Sequence, residues 1–361
     1  AIEGHHEGLK EAAPTEVSRR VKMINDISET GKRYSEKNAE ILINKLMLDG
    51  VNIPDTFLSL PSEMYQNNIS SMLYIRMLFS ALTDADFLAT EAHFKKTSTE
   101  YAYRRYNHTL NKKSIEKAIE KLMGYLDGLR SIAKSGSDIQ LLRDDLFNSC
   151  TKNGNNPQGI YTLSAPVGAG KTLAMLAFAL THAKKHNLSR IIFVLPFLNI
   201  IEQVARVYKN VIGHSDPELT ILEDHSLTET QEDSALKYLA ENWDAPIIIT
   251  TTIKLFESLF ANKSTSCRRL HNIANSIILF DEAQTMPVGL AAPTLVALKE
   301  LNKNYGCTIV FSTATQPAFD ALDEQIKKYT QDRWETRELV PKELNLFERA
   351  KRVDVKWHRE P

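Results

Sequence analysis

Ser164-Ala165-Pro166-Val167-Gly168-Ala169-Gly170-Lys171-Thr172 is the stretch on which the reading of this chain turns. Residues 160–163 before it are apolar and β-prone, and residues 173–186 after it are rich in Ala and Leu, so the segment predicts strand, glycine loop, helix. A helix start leaves backbone N–H groups pointing outward with the positive end of the macrodipole behind them. Gly168, Ala169 and Gly170 leave room for a polyphosphate to approach that backbone. In such a loop Lys171 reaches the β- and γ-phosphates, and the Thr172 hydroxyl completes a Mg²⁺ shell. Ala165 stands where the usual phosphate-loop pattern has its first glycine.

Working outward, short apolar runs at 160–165, 190–195, 246–251, 276–280 and 308–312 alternate with stretches long enough for helical crossovers. That pattern predicts a parallel, doubly wound sheet. Ligands bind such sheets at the carboxyl ends of the strands, and the remaining motifs fall there. Asp281-Glu282-Ala283-Gln284 follows the fourth run directly. An acid at that tip is placed to hold Mg²⁺, and the next one to orient or deprotonate an attacking water, so Asp281 is assigned to the metal and Glu282 to the water. Lys171, Asp281 and Glu282 are the expected catalytic group, because catalysis of this kind is mostly positioning and charge stabilisation. Ser312-Thr313-Ala314-Thr315 closes the fifth run with three hydroxyls. They can bond the acidic loop and sense the γ-phosphate; an ordinary Ser/Thr turn would use the same residues.

A length of 361 residues allows two domains, each with its own core. Lys and Arg number 44 against 45 Asp and Glu, which argues against a wholly basic nucleic-acid binder but leaves room for a local basic groove. Cys150, Cys267 and Cys307 are the only cysteines and form no C-x-x-C pair, so neither a disulfide framework nor a zinc ribbon is supported and a cytoplasmic location is expected. No apolar run approaches the roughly 18 residues that cross a bilayer, so no membrane role is expected. The chain starts at Ala1 without Met and is read as a fragment.

Residues 15–130 carry helical patterning, with apolar residues at three- and four-residue spacing over 16–28, 36–48, 69–94 and 113–132. They predict an all-helical domain over 1–134, joined through Ser135-Gly136-Ser137 to a nucleotide-binding domain over 135–361. Two clusters in the first domain could carry chemistry. His5-His6 can ligate one or two metals, or be simply solvated. In Ser80-Ala81-Leu82-Thr83-Asp84-Ala85-Asp86 the two acids lie two residues apart and point to different helix faces, so at most one joins a metal site and the other is a structural partner or a surface residue. Lys95, Lys96, Arg104, Arg105, Lys112 and Lys113, interleaved with Tyr101, Tyr103 and Tyr106, fit a nucleic-acid backbone or a solvated helix face.

The three motifs together resemble motifs I, II and III of the superfamily-2 helicases, a family that tolerates Ala at the position of Ala165. The runs at 190–197 and 200–203, Thr250-Thr251-Thr252 with the apolar segment after it, and Cys267-Arg268-Arg269-Leu270-His271-Asn272 are similar to the CRISPR-associated helicase–nuclease of type I systems. That resemblance implies an all-helical HD nuclease domain, with His5, His6 and one of Asp84 or Asp86 as ligands for Mg²⁺ or a divalent transition metal, followed by the first RecA-like motor domain. It implies ATP with Mg²⁺ as the motor's substrate, single-stranded DNA as its track, 3′-to-5′ translocation and recruitment by an RNA-guided surveillance complex. Asn199 and Thr250, Thr251 and Thr252 lie past strand ends where a strand could cross, and Arg268 and Arg269 could neutralise phosphate. Gln284, Ser312, Thr313 and Thr315 fall at the positions that couple nucleotide to nucleic acid. Glu7 and Gln284 depart from the family's usual residues. The resemblance places earlier nuclease ligands before Ala1 and a second RecA-like domain after Pro361. Rival readings are a superfamily-2 ATPase of repair or RNA remodelling, and a nucleotide-gated binding module without turnover.

Overall fold

Among the described residues seven strands run parallel in one sheet: β1 (Ile160–Ser164), β2 (Arg190–Leu195), β3 (Ile221–Asp224), β4 (Ile247–Thr251), β5 (Ser276–Phe280), β6 (Thr308–Thr313) and β7 (Arg337–Glu338). Their order is β3-β4-β2-β5-β6-β1-β7. The structure, a computed structural model, describes residues 44, 47–48, 68–94, 108–132, 137–213, 217–225, 239–286, 288–314, 323–330 and 334–351. His5, His6, the helix expected at 16–28, most of the basic stretch from Lys95, Ser135, Gly136 and Thr315 lie outside the described residues.

The five apolar runs form strands close to their expected bounds, and the sheet has two more. β3 and β7 are its edges; at four and two residues they are too short to carry a periodic signal. All six residues of β2 are buried, which is why its sequence is apolar throughout rather than alternating. The alternation appears instead in which core each side chain joins. Ile191, Phe193 and Leu195 pack with Leu279 and Val310 on one face, while Ile192 and Val194 pack with Ile278, Phe280 and Phe311 on the other.

Helices cover both faces. The described helices are α1 (Asn68–Phe94), α2 (Lys112–Ile132), α3 (Asp138–Asn153), α4 (Lys171–His186), α5 (Leu198–Ile212), α6 (Thr252–Phe260), the short α7 (Ser264–Cys267), α8 (Val288–Asn304), α9 (Asp323–Thr330) and α10 (Leu346–Arg349). α2, α3, α4 and α5 cover the first face through Ile115, Leu122, Leu142, Leu146, Leu176 and Ile201. α1, α6, α8 and α9 cover the second through Leu73, Met77, Leu255, Leu295 and Ile326. The described helices on both sides of residue 134 therefore pack against the same sheet. No helix of the described residues is long and apolar enough to cross a membrane.

At the end of the sheet away from the glycine loop, α4 buries His182 completely. Its Nδ1 lies 3.0 Å from the Gly154 carbonyl and its Nε2 2.8 Å from the Thr308 hydroxyl. The carbonyl can only accept, so Nδ1 carries the proton and Nε2 accepts from Thr308. Burial, with the neighbouring His186 as a second cause, lowers the His182 pKa to about 4. The unfolded chain takes up a proton near pH 6.5 that the folded chain refuses until about pH 4, so this site's stabilisation is complete above pH 6.5 and is lost as pH falls through that window. Urea unfolding at pH 7.5 and pH 5 is expected to show a loss of about 2 kcal/mol that His182→Gln removes; an equal loss in the variant would assign the pH dependence elsewhere.

Candidate functional site

Strand order builds the site. β6 lies between β1, which feeds the glycine loop, and β5, which ends at Asp281, with Ser164 in register with Thr313 and Phe280 with Phe311. The tip of β6 therefore stands between the loop and the acids. The Ser312 hydroxyl donates to Asp281 Oδ1 at 3.0 Å, and the Thr313 hydroxyl to Gln284 Oε1 at 2.6 Å. Gln284 in turn donates from Nε2 to Glu282 Oε2 at 2.6 Å. Ser312, Thr313, Gln284, Glu282 and Asp281 thus form one bonded chain beside the loop. The Ser312 hydroxyl reaches an acid directly, and the Thr313 hydroxyl reaches one through Gln284.

In the glycine loop Gly168 and Gly170 sit at φ +84° and +87°, in the left-handed region where a Cβ is strained. Ala165 is absent from the positive-φ residues and its methyl is fully buried, so this position has no need of glycine. Gly170 caps α4 without a side-chain acceptor, and the first turn of α4 holds no acid, so its outward N–H groups are left for an anion. Lys171 lies across the mouth of the loop with Nζ 3.3 Å from Glu282 Oε1. Glu282 adopts φ +50°, ψ +48°. A left-handed backbone at a non-glycine residue costs on the order of 1–3 kcal/mol and marks a site where geometry is imposed. Asp281 takes the Glu282 N–H and the Ser312 hydroxyl both on Oδ1. Desolvation raises its pKa, and the Lys171 charge opposes that rise.

Two supports of the loop carry no motif signal. Arg143, exposed on α3, donates from Nε to the Gly168 carbonyl at 3.2 Å and lies against Gly170. Glu338 of β7 accepts from the Ser164 N–H, the Ser164 hydroxyl and the Thr162 hydroxyl at 3.0, 2.9 and 3.0 Å. The edge strand thereby ties down the residues that enter the loop. Both residues are distant in sequence from the loop, so only folding brings them there.

The expected strand-contacting residues separate. Asn199 is exposed at the start of α5, and Thr252 is partly exposed at the start of α6. Thr251 caps α6, accepting from the Lys254 N–H at 3.1 Å, and Thr250 is buried with its hydroxyl on the Asp224 carbonyl. Arg268 and Arg269, expected against phosphate, make contacts within the fold. Arg268 is buried, with Nε 2.8 Å from Asp84 Oδ1 and Nη1 2.7 Å from Glu241 Oε2. Arg269 donates to the Ala240 carbonyl at 3.0 Å and lies 3.7 Å from Asp224 Oδ2. Arg268 is thus buried where a cation is stable only beside acids, while Arg269 is partly exposed.

Asp84 is buried and also accepts from Asn242 Nδ2 at 3.1 Å, while Asp86 is partly exposed on another face of α1. Among the described residues no three His, Cys, Asp or Glu side chains gather as a metal site.

A parallel sheet with a glycine loop after one strand, an acidic pair after another and a hydroxyl strand between them defines a RecA-like nucleotide-driven motor domain. The sequence profile of the DEAD/DEAH box helicases matches residues 143–323, and the chain belongs to that family. Within it the chain is Cas3-like: it is 24% identical over 180 residues to the CRISPR-associated nuclease/helicase Cas3 of Haloferax volcanii, an alignment covering 44% of this chain and 19% of that protein. The crystal structures of T. fusca Cas3 with AMPPNP and with ADP share the fold, each with a TM-score of 0.59 at 16% identity over 92% of this chain and 38% of that one. The chain thus spans about a fifth of the curated relative's length and under two fifths of the solved chain's.

Proposed function

We propose that this chain contains the first motor domain of an ATP-driven translocase on single-stranded DNA, coupled to a metal-dependent nuclease and acting in CRISPR defence. The observation that carries the motor reading is the bonded chain from Ser312 and Thr313 through Gln284 to Asp281 and Glu282 beside Lys171. In this reading the phosphates of ATP seat on the N–H groups of the loop and the first turn of α4. Lys171 then leaves Glu282 for the β- and γ-phosphates, and Glu282 is released to orient the attacking water. Asp281 and Thr172 would hold a Mg²⁺: among the described residues the Glu282 N–H and the Ser312 hydroxyl both bond Asp281 Oδ1, which leaves Oδ2 for a cation. When bound, that ion neutralises charge on the transferring phosphate. Loss of the γ-phosphate is read by Gln284 and passed to β6 through Thr313.

On the nucleic-acid side, Asn199 is exposed and Thr252 partly exposed, with Thr251 positioning the second by capping its helix. For the nuclease, His5, His6 and one of Asp84 and Asp86 are the proposed metal ligands; Asp84 is held by Arg268 and Asn242. Residues 1–134 are read as nuclease portion and 135–361 as motor, with α2 bridging them on the first face of the sheet. The resemblance to Cas3 supports 3′-to-5′ movement, a cytoplasmic location and an RNA-guided surveillance complex as partner.

Steady-state phosphate release with and without a single-stranded oligonucleotide tests the reading. ATP turnover is expected to rise with single-stranded DNA and to vanish in Lys171→Ala. Equal stimulation by single-stranded RNA would favour the RNA-remodelling alternative, and no turnover under any condition would favour a binding module.

A further inference from the structure

Arg76, Ser80, Asp84 and Phe87 recur at four-, four- and three-residue spacing on α1 and so occupy one helical face. Each of them meets the segment 259–271. Arg76 donates from Nε to the Leu259 carbonyl at 3.0 Å and from Nη2 to the Ala261 carbonyl at 2.5 Å. The Ser80 hydroxyl accepts the His271 N–H at 3.0 Å and is hydrogen-bonded to His271 Nδ1 at 2.9 Å. Asp84 holds Arg268, whose guanidinium carbon also lies 4.5 Å from the centroid of the Phe87 ring.

Both bonds of Arg76 fall at one end of a short helix with defined polarity. Arg76 reaches the carbonyls at the C-terminus of α6, the negative end of that helix, where a cation binds favourably. The other end of α6, about 13 Å away by helical rise, is capped by Thr251 and begins at Thr252. A single nine-residue helix therefore joins the edge assigned to the DNA strand to the face of α1. α1 also carries Asp86, two residues beyond the clamped Asp84.

The geometry points to Arg76 as a positioning residue that, through α6, links strand binding at Thr252, on the Thr251-capped end, to the helix carrying Asp84 and Asp86. Strand binding restrains the start of α6; Arg76 passes that restraint to α1; the Asp84–Arg268 pair keeps α1 in register while it is loaded. This rests on the strand-binding reading of the α6 edge given above.

Hydrogen exchange of the full chain, with and without a poly-dT oligonucleotide and a non-hydrolysable ATP analogue, tests it, with oligonucleotide affinity measured in parallel by anisotropy. In the wild type, oligonucleotide is expected to slow exchange over residues 76–90 by about fivefold or more. Arg76→Gln should abolish that increment while affinity stays within about twofold, and Arg76→Lys, which keeps a donor and the charge, should restore part of it. A merely structural Arg76 would raise exchange in α1 equally with and without the oligonucleotide, and that result overturns the proposal. So does oligonucleotide binding that leaves α1 exchange unchanged in the wild type. If the wild type binds no oligonucleotide, the strand-binding reading itself fails and the linkage falls with it.

Discussion

Glu282→Gln is expected to leave ATP bound and to slow its turnover by about 10²–10⁴-fold, the range for removing a positioned general base. The amide is nearly isosteric, so the loop has little reason to move, but it offers one acceptor oxygen to two donors, so it keeps either the Lys171 contact or the Gln284 bond and not both. What changes is chemistry: the amide cannot take a proton from water. It also replaces the ion pair to Lys171 with at most a neutral contact, which removes a competitor for that lysine, so ATP affinity should hold or rise. A fluorescent ATP analogue gives the affinity and single-turnover phosphate release gives the rate. A variant that loses affinity and rate together would move Glu282 from the water to the binding of nucleotide.

Arg268→Ala carries the largest effect expected on stability, about 3–5 kcal/mol, because it leaves Asp84 charged and buried without its cation. Arg268 also serves Glu241 and covers Phe87, so the loss extends beyond one bond. Denaturant unfolding of Arg268→Ala, Asp84→Ala and the double variant measures the coupling between the two. A residue contacting DNA phosphate would behave in the opposite way. Its removal would leave stability within about 0.5 kcal/mol and lower the salt dependence of oligonucleotide binding. The two outcomes separate an arginine inside the fold from one on the DNA.

The same arginine shows where sequence reading stops. Lys171, Asp281, Glu282, Gln284, Ser312 and Thr313 were legible because each sits at the end of an apolar run, and a parallel sheet gathers such ends on one edge. The bonds between the acids and the hydroxyls follow from β6 lying between β1 and β5, a neighbour relation that strand spacing alone does not state. Arg268 and Arg269 look like any surface basic pair, since charge in a sequence carries no record of burial. The buried acid that pairs with Arg268 lies 184 positions away, on a helix whose own sequence also reads as a metal site. The split between Asp84 and Asp86 was anticipated by their two-residue spacing, but which of them would be spent on packing depended on that distant partner. Arg143 and Glu338 were missed for a related reason. They act on backbone groups of the glycine loop and its strand, and a backbone carbonyl or N–H gives a sequence no complementary residue to find.

The central claim is that the loop from Ser164 to Thr172, with Asp281, is a Mg²⁺-dependent ATP site. Calorimetric titration of the chain with a non-hydrolysable ATP analogue, with and without Mg²⁺, tests it without requiring turnover. The expected result is saturable one-to-one binding that needs Mg²⁺ and weakens at least about tenfold, or 1.4 kcal/mol, in Lys171→Ala. Binding that is indifferent to Mg²⁺ and to Lys171, or no binding at millimolar analogue, would contradict it.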